Sequence, residues 1–369
     1  MRTKNFIFLL VLVILFSLLL IILGPSNNEN IANIQNLANK HFSKFKENLR
    51  VEKEKELDID PKYMRLLGFT LSNDDLSSTS TTKNSQFLNF TKQNFSIVSY
   101  VLQNQIQSTI LQIENLANVM PSENFLIYDL GLSDVDFQTL SAFCNSSSIK
   151  CLIMKHDLSE FPSYIMDEKL HLFRPVLIKQ ALARYRTILF ISNHVRFRNV
   201  SKTLNEIRRK TEDVTSLMIK KIPITSNTHP RMFDFFLSDA DSFLFVRQAK
   251  LDAVFFHGSK FLDEKILLPW LKCILTPQCI QPIGANSNSN HCKFNKKPQY
   301  RYSGCHGFDE SAFNVICSIS FNFNEARYSI TDTSGPLFYK ESLEDSIRIL
   351  DNRKRNISET SDHPYNSDE

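Results

Sequence analysis

The side chains best suited to chemistry lie in a few short stretches. Asp309 follows Cys305-His306 and opens an apolar run, residues 311–318, that reads as a helix. A carboxylate there can accept a proton from a hydroxyl or orient it; the alternative is that it caps the helix. Glu310 adds a second charge beside it. His306 can hold a metal ion or a phosphate, or serve as a structural histidine beside a disulfide. Ser192, Asn193 and His194 follow the apolar run Thr187-Ile188-Leu189-Phe190-Ile191. Asn193 and His194 can ligate a cation or hydrogen-bond an anion, though neither brings formal negative charge; the other reading is a polar strand end. Arg196 and Arg198 come directly after and can balance an anion. Asp129 ends the run Phe125-Leu126-Ile127-Tyr128, where it either faces a ligand or caps the next turn. Asp239-Ala240-Asp241 has the spacing of paired metal-binding carboxylates. It precedes the strand-like Phe243-Leu244-Phe245-Val246 instead of following a strand, so it reads as a turn or helix cap.

The segments between these residues alternate in period. Ile97-Val98-Ser99-Tyr100-Val101 is β-like, and Ile106, Ile110, Ile113 and Ala117 then recur at helical spacing. A second strand ends at Tyr128. Ser133-x-x-Asp136 resembles a capping box for a helix with Phe137, Leu140 and Cys144 on one face. Cys151-Leu152-Ile153-Met154 is a third strand. Pro175 marks the start of a helix that gathers Leu177, Ile178, Ala181, Leu182 and Tyr185 on one side. The run ending at Ile191 is apolar throughout, as a central parallel strand is. This pattern predicts an open, mostly parallel α/β sheet flanked by helices. Such sheets bind ligands at the carboxyl ends of their strands, so the loops after Tyr100, Tyr128 and Ile191 are the places to look.

The chain has 369 residues, 42% of them hydrophobic, with a net charge of +4. No basic block interleaved with aromatics is present, so nucleic acid is not an expected partner. Residues 6–23 are apolar except for Ser17 and are preceded by Arg2 and Lys4. At about 1.5 Å per residue such a helix just crosses a hydrocarbon core of about 30 Å. The basic flank keeps the N-terminus cytosolic and sends the rest across. A cleaved signal peptide is the competing reading, but its apolar core is shorter and its cleavage site carries small residues. The expected organisation is a cytosolic tip and signal-anchor helix over 1–23, a partly disordered stem over 24–94, a lumenal domain over 95–335 and a disordered tail over 336–369. Within the stem, 52–56 is a mixed charge run and 71–85 a Ser/Thr/Asn/Asp-rich spacer. Sequons at Asn89, Asn94, Asn145, Asn199 and Asn356 agree with lumenal exposure. The seven cysteines all lie between 144 and 317. In an oxidising lumen Cys144 is expected to pair with Cys151, and Cys273, Cys279, Cys292 and Cys305 among themselves, in a pattern the sequence does not choose. A zinc site in that second cluster is disfavoured because no C-x-x-C repeat is present. Cys317 is left over as a buried thiol.

Five ordered motifs carry a family likeness. They are Tyr128-Asp129-Leu130-Gly131-Leu132, Thr228-His229-Pro230-x-Met232-Phe233, Leu268-Pro269-Trp270-x-x-Cys273, Cys279-Ile280-x-Pro282-Ile283-Gly284 and Tyr302-x-Gly304-Cys305-His306-Gly307-Phe308-Asp309-x-Ser311-Ala312. Together they resemble an uncharacterised family of glycosyltransferase-like type II membrane proteins of the GT-A type, over roughly residues 95–335. The resemblance implies a GT-A-like sheet, a secretory-pathway membrane such as the Golgi, a nucleotide sugar as donor and a glycan or glycoprotein as acceptor. It implies Asp309 as catalytic base or acceptor-binding residue, and donor binding around Asp129, Ser192, Asn193 and Arg196, with His194 and His306 as weak metal candidates. Trp270 either stacks on a sugar or anchors the core. Transferases of this type hold Mn²⁺ or Mg²⁺ with an Asp-x-Asp motif just after an apolar strand. The corresponding Ser192-Asn193-His194 has no aspartate. That departure sets a metal-independent transferase against a catalytically lapsed relative that binds a glycan or a partner protein.

Overall fold

The computed structural model describes residues 59–69, 95–198, 201–286, 292–295, 297–330 and 336–361. All of them belong to one unit, Glu56–Glu369. The anchor over 6–23, the charge run at 52–56, the spacer over 71–85 and the sequons at Asn89, Asn94 and Asn199 lie outside the described residues. Among the described residues no helix is long and apolar enough to cross a membrane.

The strands of the main sheet are β1 (Ser96–Val101), β2 (Asn124–Asp129), β3 (Lys150–Lys155), β4 (Thr187–Ile191), β6 (Val214–Ser216) and β9 (Ala253–His257), in the order β3-β2-β1-β4-β9-β6. β1, β2, β3 and β4 run parallel, whereas β9 is antiparallel to both its neighbours. The expected mostly parallel α/β architecture is thus present. Period-2 alternation divides the central strands between two apolar layers. Val98, Tyr100, Leu126, Tyr128, Ile188, Phe190, Val254 and Phe256 pack on one face, with Val176, Leu177, Trp270, Leu271 and Phe313. Ile97, Val101, Phe125, Ile127, Leu189, Ile191, Ala253 and Phe255 pack on the other, with Ile113, Leu116 and Leu140. Because helices cover both faces, β1 and β4 are buried along their whole length.

The helices among the described residues include four that the sequence signals, near Ile106, Ser133, Pro175 and Asp309. The helices in chain order are α1 (Pro61–Leu66), α2 (Ile106–Val119), α3 (Asp134–Ser146), α4 (Arg174–Leu182), α5 (Ser201–Lys210), α6 (Pro230–Phe235), α7 (Leu268–Ile274), α8 (Pro277–Ile280), α9 (Asp309–Ser320) and α10 (Leu343–Ser361). Ser133 caps α3: its hydroxyl accepts the Asp136 N–H at 3.1 Å and donates to the Asp136 carboxylate at 2.8 Å. Two short ribbons complete the fold, β5 (Val195–Phe197) with β10 (Phe338–Lys340) and β7 (Ile219–Pro223) with β8 (Arg247–Ala249).

Several expectations are corrected. The strand-like run at 243–246 is a turn: Asp239 caps Ala240–Phe243 by accepting the Asp241 N–H at 3.2 Å, and Phe245 is 84% exposed. The cap reading of Asp239-Ala240-Asp241 therefore holds. Part of the stem belongs to the domain, because α1 is capped by Asp60 and buries Met64 and Leu67 in the main core. The tail from 336 is ordered through β10 and α10. Ser342 caps α10 by accepting the Asp345 N–H at 3.0 Å, and Arg353 holds both oxygens of Glu114 on α2, at 2.9 and 2.8 Å.

The disulfides resolve the open pairing. Cys144–Cys151 ties α3 to β3, Cys273–Cys279 ties α7 to α8, and Cys292 joins Cys305. Cys317 is a buried free thiol, its pKa raised by burial. Asn145 and Asn356 are exposed on α3 and α10.

Candidate functional site

The turn after β4 is clamped from below. The Ser192 N–H donates to the Asp252 carbonyl at 2.9 Å, and the Ser192 carbonyl accepts from Gln112 Nε2 at 2.8 Å and from the Val195 N–H at 3.0 Å. The Asn193 amide donates to Gln105 Oε1 at 2.5 Å, and Ser108 Oγ donates to the Asn193 carbonyl at 3.2 Å. These polar side chains all stand at the start of α2, so β1 and its crossover helix set the height of the turn.

Arg196 braces the same turn. It is 1% exposed. Nη1 donates to the carbonyls of Asn193 and Val195 at 2.6 and 3.1 Å, Nη2 to Ser108 at 2.8 Å and 3.1 Å, and Nε and Nη2 to Glu341 Oε1 at 3.1 and 2.9 Å. Burial lowers its pKa, against the Glu341 carboxylate that raises it. Every nitrogen of the guanidinium is spent on protein, so the expected role of Arg196 in donor binding is corrected to a structural one. Ser192 and Asn193 likewise use their main-chain groups, and Asn193 its amide, to hold the turn.

His194 is the turn residue that reaches outward. Its Nε2 lies 3.1 Å from Asp252 Oδ1. Asp252 immediately precedes β9. Because β9 is antiparallel, its first residue sits opposite the last residue of β4, in the pair Ile191–Ala253. A carboxylate 60 residues downstream thereby arrives at the ligand-binding end of the sheet. Lys340, the last residue of β10, pairs in register with Val195 and brings its Nζ to 2.6 Å from Asp252 Oδ2; Lys250 Nζ stands at 3.9 Å. Burial pushes the Asp252 carboxyl up, but His194, Lys340 and Lys250 together hold it well below the usual carboxylate range. Sequence reading missed Asp252, Lys250 and Lys340. The available signal was the charged Lys250-Leu251-Asp252 before an apolar strand, which gains meaning only once β9 is known to run backwards.

Above this group opens a cleft of about 460 Å³, lined in part by Gln105, Ser108, Asn193, His194, Lys340 and Glu341. Its carboxylates are engaged: Glu341 holds Arg196, and Asp345 is paired with Arg348 at 2.5 Å.

The other expected site residues are engaged by protein groups. Asp129 spends Oδ1 on the N–H groups of Gly131 and Leu132 at 3.0 and 2.8 Å, which is the turn-capping alternative. Gly131 has φ +134°, a conformation that favours glycine in this turn. Asp309 is the first residue of α9 and 2% exposed. Its Oδ2 accepts from Arg174 Nη1 at 3.2 Å and its Oδ1 from the Glu310 N–H at 2.7 Å. Burial pushes its carboxyl up to about 7, against the pull of the Arg174 guanidinium. Enclosed in this way, Asp309 is a buried ion pair at the start of α4 and α9, a structural role in place of the catalytic expectation. Glu310 is paired with Lys220. His306 uses both ring nitrogens on backbone: Nδ1 accepts the His229 N–H at 3.1 Å and Nε2 donates to the Ile280 carbonyl at 3.1 Å. That leaves no lone pair for a metal, and burial lowers its pKa to about 3. Trp270 is fully buried against Phe313, which selects the core-anchor reading.

The strand end does not fit a divalent cation. Mg²⁺ and Mn²⁺ at a diphosphate favour carboxylate oxygens. Here one carboxylate faces one imidazole, and two ammonium groups already neutralise it. Among the described residues, no group of three or more His, Cys, Asp or Glu side chains is placed to hold an ion.

No family model matches the chain, and no curated protein does. Solved structures do. The chain is similar to the bifunctional glycosyltransferase WbbM at 10% identity and a TM-score of 0.38, over 61% of this chain and 37% of that one. It is similar to the galactosyltransferase LgtC at 11% and 0.35, over 50% and 65%, and to core-mannan synthase A of Aspergillus fumigatus at 10% and 0.39, over 69% and 82%. These structural neighbours are glycosyltransferases. The chain spans less than two thirds of the length of WbbM and of one LgtC structure and 83% of another LgtC structure, and all of these TM-scores lie below 0.5.

Proposed function

We propose that this protein binds a nucleotide sugar in the cleft beyond β1 and β4 and transfers the sugar to the hydroxyl of a glycan or glycoprotein. The observation that carries this reading is the cationic arrangement at the strand end, where Lys340, Lys250 and His194 surround the single carboxylate of Asp252 beside an open cleft. Open α/β sheets bind ligands at that end, and a diphosphate leaving group requires positive charge there. Calorimetry of the full chain with uridine and guanosine diphosphate sugars tests it. Binding in the presence of a chelator is the expected result; absence of binding to every donor, with or without Mn²⁺, overturns it.

A second reading, a catalytically lapsed relative that binds a glycan or partner protein, rests on one specific observation. The carboxylates beside the cleft are engaged by arginines or lysines, which leaves no free carboxylate base among the described residues there. Donor binding without sugar transfer to any acceptor selects this second reading.

The same proposal places the protein in a secretory-pathway membrane such as the Golgi, held by a signal-anchor over residues 6–23 with the folded unit lumenal. Three disulfides support it, because they persist in oxidising compartments. Recovery of the chain in the supernatant after alkaline carbonate washing, starting soon after Gly24, counts against the anchor.

A further inference from the structure

We propose that Lys340 is a built-in replacement for the divalent cation, its ammonium seated between the Asp252 carboxylate and an incoming phosphate. The inference deepens the reading above, from which it takes the diphosphate as ligand.

Asp252 is 6% exposed, and a carboxylate so enclosed demands a cation. A metal-dependent site meets that demand with an ion from solution. Here the cation is covalently part of the chain and its position is fixed on three sides. Lys340 is in register with Val195 and Tyr339 with Arg196, so the ribbon sets its height. The next residue fastens the strand to the turn, because the Glu341 N–H donates to the His194 carbonyl at 2.9 Å and Glu341 Oε1 accepts from Arg196. Ser342 then caps α10, which is tied to α2 through Arg353 and Glu114. The backbone that carries Lys340 is therefore held beside Asp252.

The ammonium is also available to a ligand. The Lys340 side chain is 40% exposed and lines the cleft, while Asp252 engages it from the buried side. An ammonium has three N–H donors, so one that is ion-paired with Asp252 can still donate to a ligand. Lys250, 3.9 Å from the same carboxylate oxygen, contributes a second positive charge. Two ammonium groups over one carboxylate leave a net positive charge, the sign a diphosphate needs. The same occupancy excludes a metal: His194 and Asp252 would form half of a cation site, but Lys340 stands on the second carboxylate oxygen. The segment carrying Lys340 is thus an integral wall of the site.

The probe is inorganic pyrophosphate, titrated calorimetrically into the full chain with EDTA present. Native protein is expected to bind it without metal. Lys340→Met should weaken binding roughly tenfold to hundredfold, the range for a charge-assisted hydrogen bond. Adding Mn²⁺ should then restore part of the binding in the variant, because the Asp252 oxygen that Lys340 occupied is open to an ion whose remaining ligands the pyrophosphate supplies, and a further Asp252→Asn should abolish the restoration. Lys340→Gln, which keeps a polar head, must behave like Lys340→Met, with thermal unfolding confirming that both are folded. Unchanged affinity in a folded variant overturns the proposal, as does native protein that binds pyrophosphate only with Mn²⁺ or not at all. Native protein that binds pyrophosphate without metal but accepts no nucleotide sugar supports this inference while refuting the transferase reading.

Discussion

Replacing Arg196 by methionine separates a structural arginine from a ligand-binding one. The side chain is 1% exposed and its Nε, Nη1 and Nη2 all donate to protein acceptors, the closest being the Asn193 carbonyl at 2.6 Å and the Ser108 carbonyl at 2.8 Å. Methionine fills much of the same volume, so cavity formation is a minor cost. The major cost is Glu341, left partly buried without its cation, together with three main-chain carbonyls that each lose a charged donor. Breaking one side of a buried ion pair costs about 3–5 kcal/mol. At about 2–4 °C per kcal/mol for a large domain, the melting temperature should fall by roughly 6–20 °C. Adding Glu341→Gln should recover part of that loss, because the uncompensated charge is then gone. The assay is thermal unfolding followed by far-ultraviolet circular dichroism, with pyrophosphate binding measured well below the transition. Folded Arg196→Met should still bind. A variant that keeps the native melting temperature but loses pyrophosphate binding would refute the reasoning and return Arg196 to the donor site.

His306 should make stability sensitive to acid. Its folded pKa of about 3 lies below the ordinary value of 6.5, so its contribution is full above pH 6.5 and is lost as pH falls towards 3. Relative to pH 8 the loss at pH 5 is about 2 kcal/mol. Asp309 acts in the opposite sense: with its pKa raised to about 7, its contribution is full below the ordinary aspartate value and is lost as pH rises through 7. Urea midpoints at pH 5 and pH 8 for native protein and His306→Gln isolate the histidine, and an identical pH difference in both proteins removes it as a cause. At pH 8, where the Asp309 carboxyl is ionised, Asp309→Asn should cost about 3–5 kcal/mol by leaving Arg174 buried and unpaired, with a smaller cost at pH 5 where the carboxyl is protonated, and the double variant Asp309→Leu/Arg174→Met should recover most of it. If Asp309→Asn is as stable as native but slows sugar transfer, Asp309 regains a place in the chemistry.

Local pattern made the scaffold legible. Apolar runs ending at Val101, Asp129 and Ile191 became β1, β2 and β4 because strands covered on both faces need no polar alternation. Ser133, Asp239 and Pro175 marked turns and helix starts through geometry that involves only nearby residues. Clustering of the cysteines foretold which groups would pair, and the fold chose Cys273 with Cys279 over the alternatives. The turn at Ser192-Asn193-His194 was also correctly located as a strand end.

The composition of the site was another matter. Whether an arginine faces solvent or a carbonyl cage depends on what packs over it, and nothing near Arg196 in sequence announces Ser108 or Glu341. Asp309 and His306 looked chemical because their types are versatile, yet tertiary packing spent the one on Arg174 and the other on two backbone groups. Asp252 and Lys340 looked ordinary, one ahead of an apolar strand and the other in an apparent tail. They meet at 2.6 Å because β9 enters the sheet antiparallel and β10 returns to pair with β5. Residue type fixes what a group can do, but burial and partners fix whether it remains free to do it, and those are properties of contacts between distant segments.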